Sequence, residues 1–209
     1  MSSVRIPLEA GGYYHIFNHA IGSENVFRED ENYFFFLRKV SSRITAFADV
    51  LAYCLMPNHF HLLIKIKDKK ELVKLWENKL MRRKEKSKLA VLTINELLDN
   101  IMTTEFGTLF NSYVQAYNKK YFRQGALLKE SFQRKRIDNG DYLLKVVCYI
   151  HNNPVEHHFT EKPGDWKYSS YNAILSDGKT NILREEVIEL FGGRDNFAFM
   201  HRLNVGVEI

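Results

Sequence analysis

The segment from residue 50 to residue 67 constrains the fold more than any other part of the chain. It contains two apolar, strand-like runs, Val50 to Met56 and His59 to Lys67, separated by Pro57-Asn58. Because proline and asparagine favour turns, we predict that the two runs are strands that pair antiparallel. The apolar residues at alternate positions from Phe60 to Ile66 point to one side of the second strand, and this side is expected to face a core.

The remaining periodic segments complete a simple α+β pattern. Their order is strand, helix, strand, strand, helix, strand, helix, with the outer elements at Tyr13 to Asn18, Asp30 to Ala48, Ile94 to about Gly125, Leu127 to Ile137, and Asp141 to Asn153. The last helix is predicted to end at Pro154, because proline disfavours the helical conformation of the residue before it. This order predicts a ferredoxin-like antiparallel sheet with helices packed on one face.

Two segments fall outside that pattern. Lys69 to Leu89 is dominated by lysine, arginine and glutamate, which predicts an exposed helix or a mobile insertion outside the core. Leu183, Val187, Leu190 and Phe191 predict one short helix near the end of the chain. We therefore predict a main domain over residues 1–172, with a basic insertion at about 68–92, and a C-terminal tail over residues 173–209.

Composition limits the class of protein. With 209 residues, of which 45% are hydrophobic, the chain is suited to a folded core and not to a disordered state. A formal charge of +5 favours polyanionic partners, although many basic proteins bind no nucleic acid. Cys54 and Cys148 do not form a ligand-spaced pair, and no long apolar segment is present, so we expect a cytoplasmic protein without a membrane partner, nucleoid-associated when bound to DNA.

The first candidate site residues are His59 and His61, which lie two apart on a predicted strand. Their imidazoles therefore point to the same side, opposite the apolar side. In a sheet with helices on one face, that side is open to a ligand, and two neutral imidazoles can share one divalent ion. The alternative interpretation is a pair of surface histidines.

The second candidate pair is Tyr149 and Asn153, four residues apart on one helix face. The amide oxygen of Asn153 is suited to complete a metal site, and the phenol of Tyr149 would then lie beside the ion as a nucleophile. The alternative is a core tyrosine and a helix-end asparagine. Tyr142, two turns earlier, is a second candidate nucleophile, and Lys145 is placed either to lower the pKa of the phenol or to be solvated.

Basic residues interleaved with aromatic residues predict contacts with nucleic acid, because cations follow phosphates and aromatic rings stack on unpaired bases. The alternative is a solvated face over core aromatics. The candidate DNA-binding residues are Lys119, Lys120, Arg123, Arg134, Lys135, Arg136 and Lys145.

Several motifs resemble those of one family. The segments LMPNHFHLLI (residues 55–64), YIHNNPV (149–155), YHIFN (14–18) and WKYSS (166–170) resemble the motifs of the HUH single-strand DNA transposases, of the REP-associated tyrosine transposase type. The matches span residues 13 to 171. One departure is Asn18-His19-Ala20, where the family often has Asn-Arg-Gly.

The resemblance implies a fold, a set of site residues and a reaction. It implies an HUH tyrosine transposase domain in which His59, His61 and Asn153 bind Mg²⁺ or Mn²⁺ and Tyr149 is the nucleophile. It also implies cleavage and strand transfer of single-stranded DNA near hairpin or repeat-derived sequences, through a 5′-phosphotyrosine. Members are monomers or homodimers, and the residues leave this choice open.

Two competing functions remain at this point. One is a non-cleaving DNA hairpin-binding protein, or a domesticated regulatory protein, of the same fold. The other is an RNA-binding ferredoxin-like domain, which predicts exposed aromatic residues on the central strands where this chain has its paired histidines.

Overall fold

The sheet has four antiparallel strands in the order β2-β3-β1-β4. The computed structural model of the chain describes residues 6–86, 93–129 and 131–203. The strands are β1 (Tyr13–His19), β2 (Ala48–Met56), β3 (His59–Ile66) and β4 (Gln133–Ile137). The predicted α+β class is confirmed, and β2 and β3 pair antiparallel as expected.

Seven helices occur in the described part of the chain. They are α1 (Asp30–Arg43), α2 (Lys69–Lys86), α3 (Ile94–Lys120), α4 (Gly140–Glu156), α5 (Tyr171–Leu175), α6 (Arg184–Leu190) and α7 (Arg194–Arg202). The start of α3 is fixed by a capping box in which Thr93 and Glu96 exchange side-chain and backbone hydrogen bonds. None of the described helices combines the length and the hydrophobicity needed to span a membrane.

One face of the sheet packs against α1 and α3, as its alternating sequence predicts. Phe60 is fully buried, and its ring centroid lies 4.9 Å from that of Phe36 on α1 and 5.3 Å from that of Phe110 on α3. The neighbouring side chains of this β3 face, Leu62, Ile64 and Ile66, belong to the same cluster. This face is the larger part of the hydrophobic core.

The prediction that the helices pack on one face is wrong for α4, which covers the opposite face of β2 and β3. The side chains that β2 and β3 turn toward α4 are also apolar. Leu51, Ala52, Cys54 and Met56 of β2 and Leu63 of β3 are buried in one cluster with the apolar side of α4. The second face is therefore apolar enough to bury a helix, as in strands that are covered on both faces.

The prediction that the basic insertion lies outside the core is also wrong for α2. Leu72, Trp76 and Leu80 recur every four residues and are buried, and the Trp76 ring centroid lies 5.4 Å from that of Phe47. Three apolar residues on one face are enough to dock an otherwise charged helix. Residues 87–92 of the predicted insertion lie outside the described residues.

Pro154 does not end α4, which continues to Glu156. Proline disfavours the helical conformation of the residue before it without forbidding it, and the buried ring is tolerated two residues before the helix end. His157 caps the helix and His158 adopts the left-handed conformation. Asn153 therefore lies inside the last turn of α4.

The C-terminal tail contains α6, over the residues expected to be helical, and a second helix, α7, which was not predicted. A chain of buried hydrogen bonds joins α7 to α4. Nδ1 of His201 lies 2.7 Å from the carbonyl oxygen of Phe197, Nε2 of His201 lies 2.8 Å from Nδ1 of His151, and Nε2 of His151 lies 2.7 Å from Oγ of Ser170. If Nδ1 of each ring carries the proton, every contact has one donor and one acceptor. The division of the chain at residue 172 stays a prediction.

This buried pair predicts a loss of stability in mild acid. Burial lowers the pKa of His201 to about 4 and that of His151 well below its usual value. Between the unfolded pKa of about 6.5 and the folded value, protons bind only the unfolded chain, so each histidine removes about 1.4 kcal/mol of unfolding free energy per pH unit as the pH falls. The full contribution is present above about pH 6.5.

Urea unfolding at pH values of about 7, 6 and 5, with EDTA present, tests this prediction. His201→Phe removes one titrating group, so we expect its unfolding free energy to fall less steeply with pH, whatever its stability at pH 7. His158→Asn, at an exposed position, serves as the matched control with an unchanged slope. Equal slopes in the wild type and His201→Phe would contradict the prediction.

Candidate functional site

His59 and His61 lie side by side on β3, on the face that α4 crosses. Each is only 3% exposed, so the expectation of an open face is wrong at these two positions. Their ring centroids are 5.1 Å apart. The side chains of β1 that share this face are His15, Phe17 and His19, and the site is therefore built from two neighbouring strands and one helix.

His59 connects β3 to α4. Its Nε2 lies 2.8 Å from Oδ1 of Asn153, and its Nδ1 lies 2.8 Å from Oδ1 of Asn58. Burial lowers the pKa of His59 to about 4, so the ring is neutral at pH 7 and has one N–H. One N–H cannot donate to both oxygens, and when it donates to Asn58, the lone pairs of Nε2 and of Asn153 face each other.

His61 connects β3 to β1. Its Nδ1 lies 2.9 Å from Nε2 of His15, which is itself 1% exposed. Nε2 of His61 and Nδ1 of His15 are buried and have no hydrogen-bond partner among the described residues. Burial lowers the pKa of both rings, that of His15 to about 3, so both are neutral. If His61 donates from Nδ1 to His15, its Nε2 keeps a lone pair that points into the site.

Tyr149 is the tyrosine that reaches this site. Its ring centroid lies 5.4 Å from that of His61 and 6.2 Å from that of His15. Burial raises the pKa of Tyr149, Glu156 raises it further, and a hydrogen bond with Asn153 lowers it. The phenol is therefore protonated at neutral pH in the absence of an added positive charge.

Tyr142 and Lys145, the other predicted members of the site on α4, lie closer to the start of this helix. The hydroxyl of Tyr142 is buried without a hydrogen-bond partner among the described residues, and its ring faces Nζ of Lys135 at 5.8 Å. Lys145 is exposed. The largest charge effect on the pKa of Tyr149 comes from Glu156, so the idea that Lys145 lowers this pKa gains no support from the electrostatics.

The donor set fits a divalent cation. His59 Nε2, His61 Nε2 and Asn153 Oδ1 are buried lone-pair donors from β3 and α4, and the first and last are 2.8 Å apart. Adjacent ligands of one octahedral ion with bonds of about 2.1 Å lie about 3 Å apart. Within the described residues, no three His, Cys, Asp or Glu side chains are grouped to hold a metal, so the candidate set depends on the amide oxygen.

Most of the predicted DNA-binding cations form ion pairs within the chain. The four are Lys120 with Glu29 and Glu31, Arg123 with Glu24, Arg134 with Asp99, and Arg136 with Glu9 and Asp138. Their charges are largely compensated by these carboxylates. Lys119, Lys135 and Lys145 have no ion pair in the described part of the chain.

The site residues predicted from the sequence do not include the other histidines around the site. His15 is buried and contacts His61, and the available signal was its position on β1, two residues before Phe17, which puts both side chains on one face. His19 stacks on His59 at a centroid distance of 4.8 Å, where the family often has arginine. His157 is exposed, and its ring centroid lies 5.3 Å from that of His59. His151 is fully buried.

Comparison with known proteins finds a curated relative and similar solved structures. A curated protein of Haemophilus influenzae, named provisionally as a REP-associated tyrosine transposase, is 24% identical over 140 residues, which are 66% of this chain and 65% of that protein. The match therefore spans slightly less than two thirds of the relative's own length. No protein-family model matches the chain.

The second relative is a solved structure. It is a REP-associated tyrosine transposase bound to a REP hairpin, and it superposes with a TM-score of 0.58 over 85% of this chain and 87% of that chain, at 14% identity. This match establishes a shared fold. The resemblance to the HUH tyrosine transposases of the REP-associated type, first stated from the motifs, is confirmed by the two comparisons.

The geometry predicts a role for His15 in metal binding. Nδ1 of His61 contacts His15, which leaves Nε2 of His61 as the nitrogen that faces the site. Replacing His15 with leucine removes the acceptor for Nδ1–H of His61, and we expect the affinity for Mn²⁺ to fall by about 10–100-fold. His15→Gln keeps an acceptor oxygen and is expected to retain most of the affinity. Titration calorimetry with Mn²⁺ alone measures the effect.

His61→Ala is the reference for loss of a ligand, and circular dichroism checks that each variant is folded. Equal Mn²⁺ affinity in the wild type and His15→Leu would show that His15 does not position His61. Absence of Mn²⁺ binding by the wild type at millimolar concentration would contradict the ligand set itself.

Proposed function

We propose that this chain is a metal-dependent endonuclease and strand transferase of single-stranded DNA, with Tyr149 as its nucleophile. The observation that carries the proposal is the meeting of Tyr149 with His61 and Asn153, where the last turns of α4 cross β3. A DNA hairpin is the proposed recognition element, because the solved relative is bound to a REP hairpin.

The proposed ligands are His59, His61 and Asn153, and Mg²⁺ or Mn²⁺ bound there would supply positive charge beside the phenol and the scissile phosphate. The chain's own residues account for the rest of the site. His15 and Asn58 orient the two imidazoles through their Nδ1 atoms. The burial of both rings keeps them neutral and excludes water.

In the cleavage step, the phenol of Tyr149 loses its proton and its oxygen attacks the phosphorus in line. A bond from the Tyr149 oxygen to phosphorus forms as the bond from phosphorus to the 3′-oxygen breaks. The 3′-oxygen takes up a proton and leaves as a hydroxyl, and the 5′-phosphate stays on the tyrosine. A second 3′-hydroxyl reverses the step and joins a new strand, with no net change in the number of phosphoester bonds.

The raised pKa of Tyr149 gives a reason for metal dependence. Burial and Glu156 both oppose the phenolate, and Glu156 is an exposed carboxylate at the end of α4. Only the side chain of Asn153 lowers this pKa. A site of this kind needs added positive charge before its tyrosine is a competent nucleophile at neutral pH.

One observation favours a second candidate, a hairpin-binding protein of the same fold that does not cleave. The three proposed ligands are at most 3% exposed, so α4 or the segments beside it must move before a phosphate can contact them. In this alternative, the fold and the DNA contacts serve recognition alone. In either case the predicted cytoplasmic location and the choice between monomer and homodimer stay predictions.

The test is incubation with a library of labelled single-stranded hairpin DNAs, with Mn²⁺ or with EDTA, followed by denaturing gels. We expect a covalent protein–DNA adduct in Mn²⁺ that is absent in EDTA. Tyr149→Phe removes the nucleophile and should abolish the adduct. Tyr142→Phe is the matched control, a tyrosine two turns away on the same helix, and should keep it.

Three other results of this assay would contradict parts of the proposal. An adduct that persists in Tyr149→Phe and disappears in Tyr142→Phe would move the nucleophile to Tyr142. Binding of hairpin DNA without an adduct under any condition would favour the non-cleaving protein. An adduct that forms equally in EDTA would contradict the metal dependence.

A further inference from the structure

The face of the sheet that carries the site is only half covered. α4 packs over β2 and β3, whereas β1 and β4 on the same face carry partly exposed side chains. Across the strands, His61 pairs with Phe17 and Phe17 pairs with Gln133, while in the next row His15 pairs with Lys135. We call Phe17, Gln133 and Lys135 the open half-face.

Phe17 is a partly exposed aromatic residue beside the proposed metal ligands. Its ring stacks on His15 at a centroid distance of 4.8 Å and lies 6.0 Å from His61. Neighbouring strands are about 5 Å apart, so a group that rests on Phe17 is one strand spacing from His61. An aromatic ring held by its neighbours and partly open to solvent is a platform for an unpaired base.

Lys135 brings positive charge to the same half-face. Side chains alternate along β4, so Arg134 and Arg136 point to the other face, where they bond to Asp99 and Glu9. Lys135 points toward the site, and in the described part of the chain no carboxylate lies within ion-pair distance of it. Of the three consecutive cations predicted to bind DNA, one is therefore placed beside the site without a compensating carboxylate.

Lys135 lies between the site and the start of α4. It pairs with His15 across the strands, and its Nζ lies 5.8 Å from the ring centroid of Tyr142. Gln133, the exposed end of the half-face, donates from its amide nitrogen to the carbonyl oxygen of Ser131, and its amide oxygen is an acceptor for a base edge. The half-face thus combines a stacking surface, a phosphate-binding charge and a polar side chain within two strand spacings, about 10 Å.

We propose that the open half-face holds the single-stranded segment that leads to Tyr149, with an unpaired base stacked on Phe17 and a phosphate beside Lys135. The inference rests on the proposed function for the identity of its ligand, DNA, and it adds the path by which the strand reaches the site. It requires a single strand, because in a duplex the faces of the bases are already stacked on one another.

The experiment measures non-covalent binding of a labelled pool of single-stranded DNA with random sequence, in the Tyr149→Phe background, with Mn²⁺ and with EDTA. Fluorescence anisotropy gives the affinity at several salt concentrations. We expect Phe17→Ala to weaken binding about tenfold, the loss of one base stack, and Phe17→Tyr to restore it. Lys135→Ala is expected to weaken binding and to lower the salt slope by about 0.7.

Two matched controls separate a local effect from a general one. Phe34→Ala removes an exposed phenylalanine of α1, and Lys179→Ala removes an exposed lysine of the tail. Both should bind as the background does. Binding of the same pool annealed to its complement should be insensitive to Phe17→Ala. The EDTA arm excludes an indirect effect of Phe17 through the metal ligands.

The outcomes distinguish the two proposals. If the background binds single-stranded DNA and Phe17→Ala and Lys135→Ala match their controls, the open half-face is not the path, and the proposed function stands. If Phe17→Ala weakens duplex binding equally, stacking on an unpaired base is wrong. If the folded background binds no single-stranded DNA with or without Mn²⁺, the half-face proposal is overturned, and the adduct assay with hairpin DNAs decides the proposed function separately.

Discussion

The packing of the last turns of α4 against β3 is the interaction on which the candidate site depends. It brings Asn153 within 2.8 Å of His59 and the ring of Tyr149 within 5.4 Å of His61. Strand β3 is held on both sides by hydrogen-bonded neighbours, so the two histidines are placed by the sheet. The tyrosine and the asparagine, in contrast, are placed by the docking of a single helix. Tyr149 and Asn153 are four residues apart and therefore lie on the same face of α4. A small rotation of α4 would turn this face, and with it the nucleophile, away from both imidazoles.

The docking of α4 is in turn supported from behind by the C-terminal tail. His151 and Asn152 lie between Tyr149 and Asn153 in sequence, but they bond to His201 of α7. Adjacent helix positions point in different directions, so one turn of α4 contacts the site on one side and the tail on the other. The part of the chain without any recognised motif therefore contributes to the geometry of the site, although it supplies no proposed ligand. This dependence is a reason to treat residues 173–203 as part of the same structural unit as the sheet.

The alternation of side chains along a strand and the spacing of residues along a helix predicted the local geometry of the site. Alternation placed His59 and His61 on one side of β3, and a spacing of four placed Tyr149 with Asn153. The position of α4 was not predicted, although the uninterrupted apolar run of β2 is typical of a strand that is covered on both faces. The ion pairs of the predicted DNA-binding cations were not predicted either, since one of the two carboxylates that pair with Arg136 is Glu9, 127 residues away. Long-range pairing of this kind has no signature in a single sequence.

The electrostatics of the site give a common reason for several otherwise costly features. Burial lowers the pKa values of His59 and His61 and raises that of Tyr149, so all three groups are neutral when no ligand is present. A neutral site with a buried, unpartnered nitrogen on His61 is unfavourable for a protein that only needs to fold. A divalent cation at the proposed site would change the balance, because it would accept the imidazole and amide lone pairs and would stabilise the phenolate. The same burial that disfavours imidazolium would remove protons as competitors for the ligands, and the raised phenol pKa would keep Tyr149 protonated until that charge is bound.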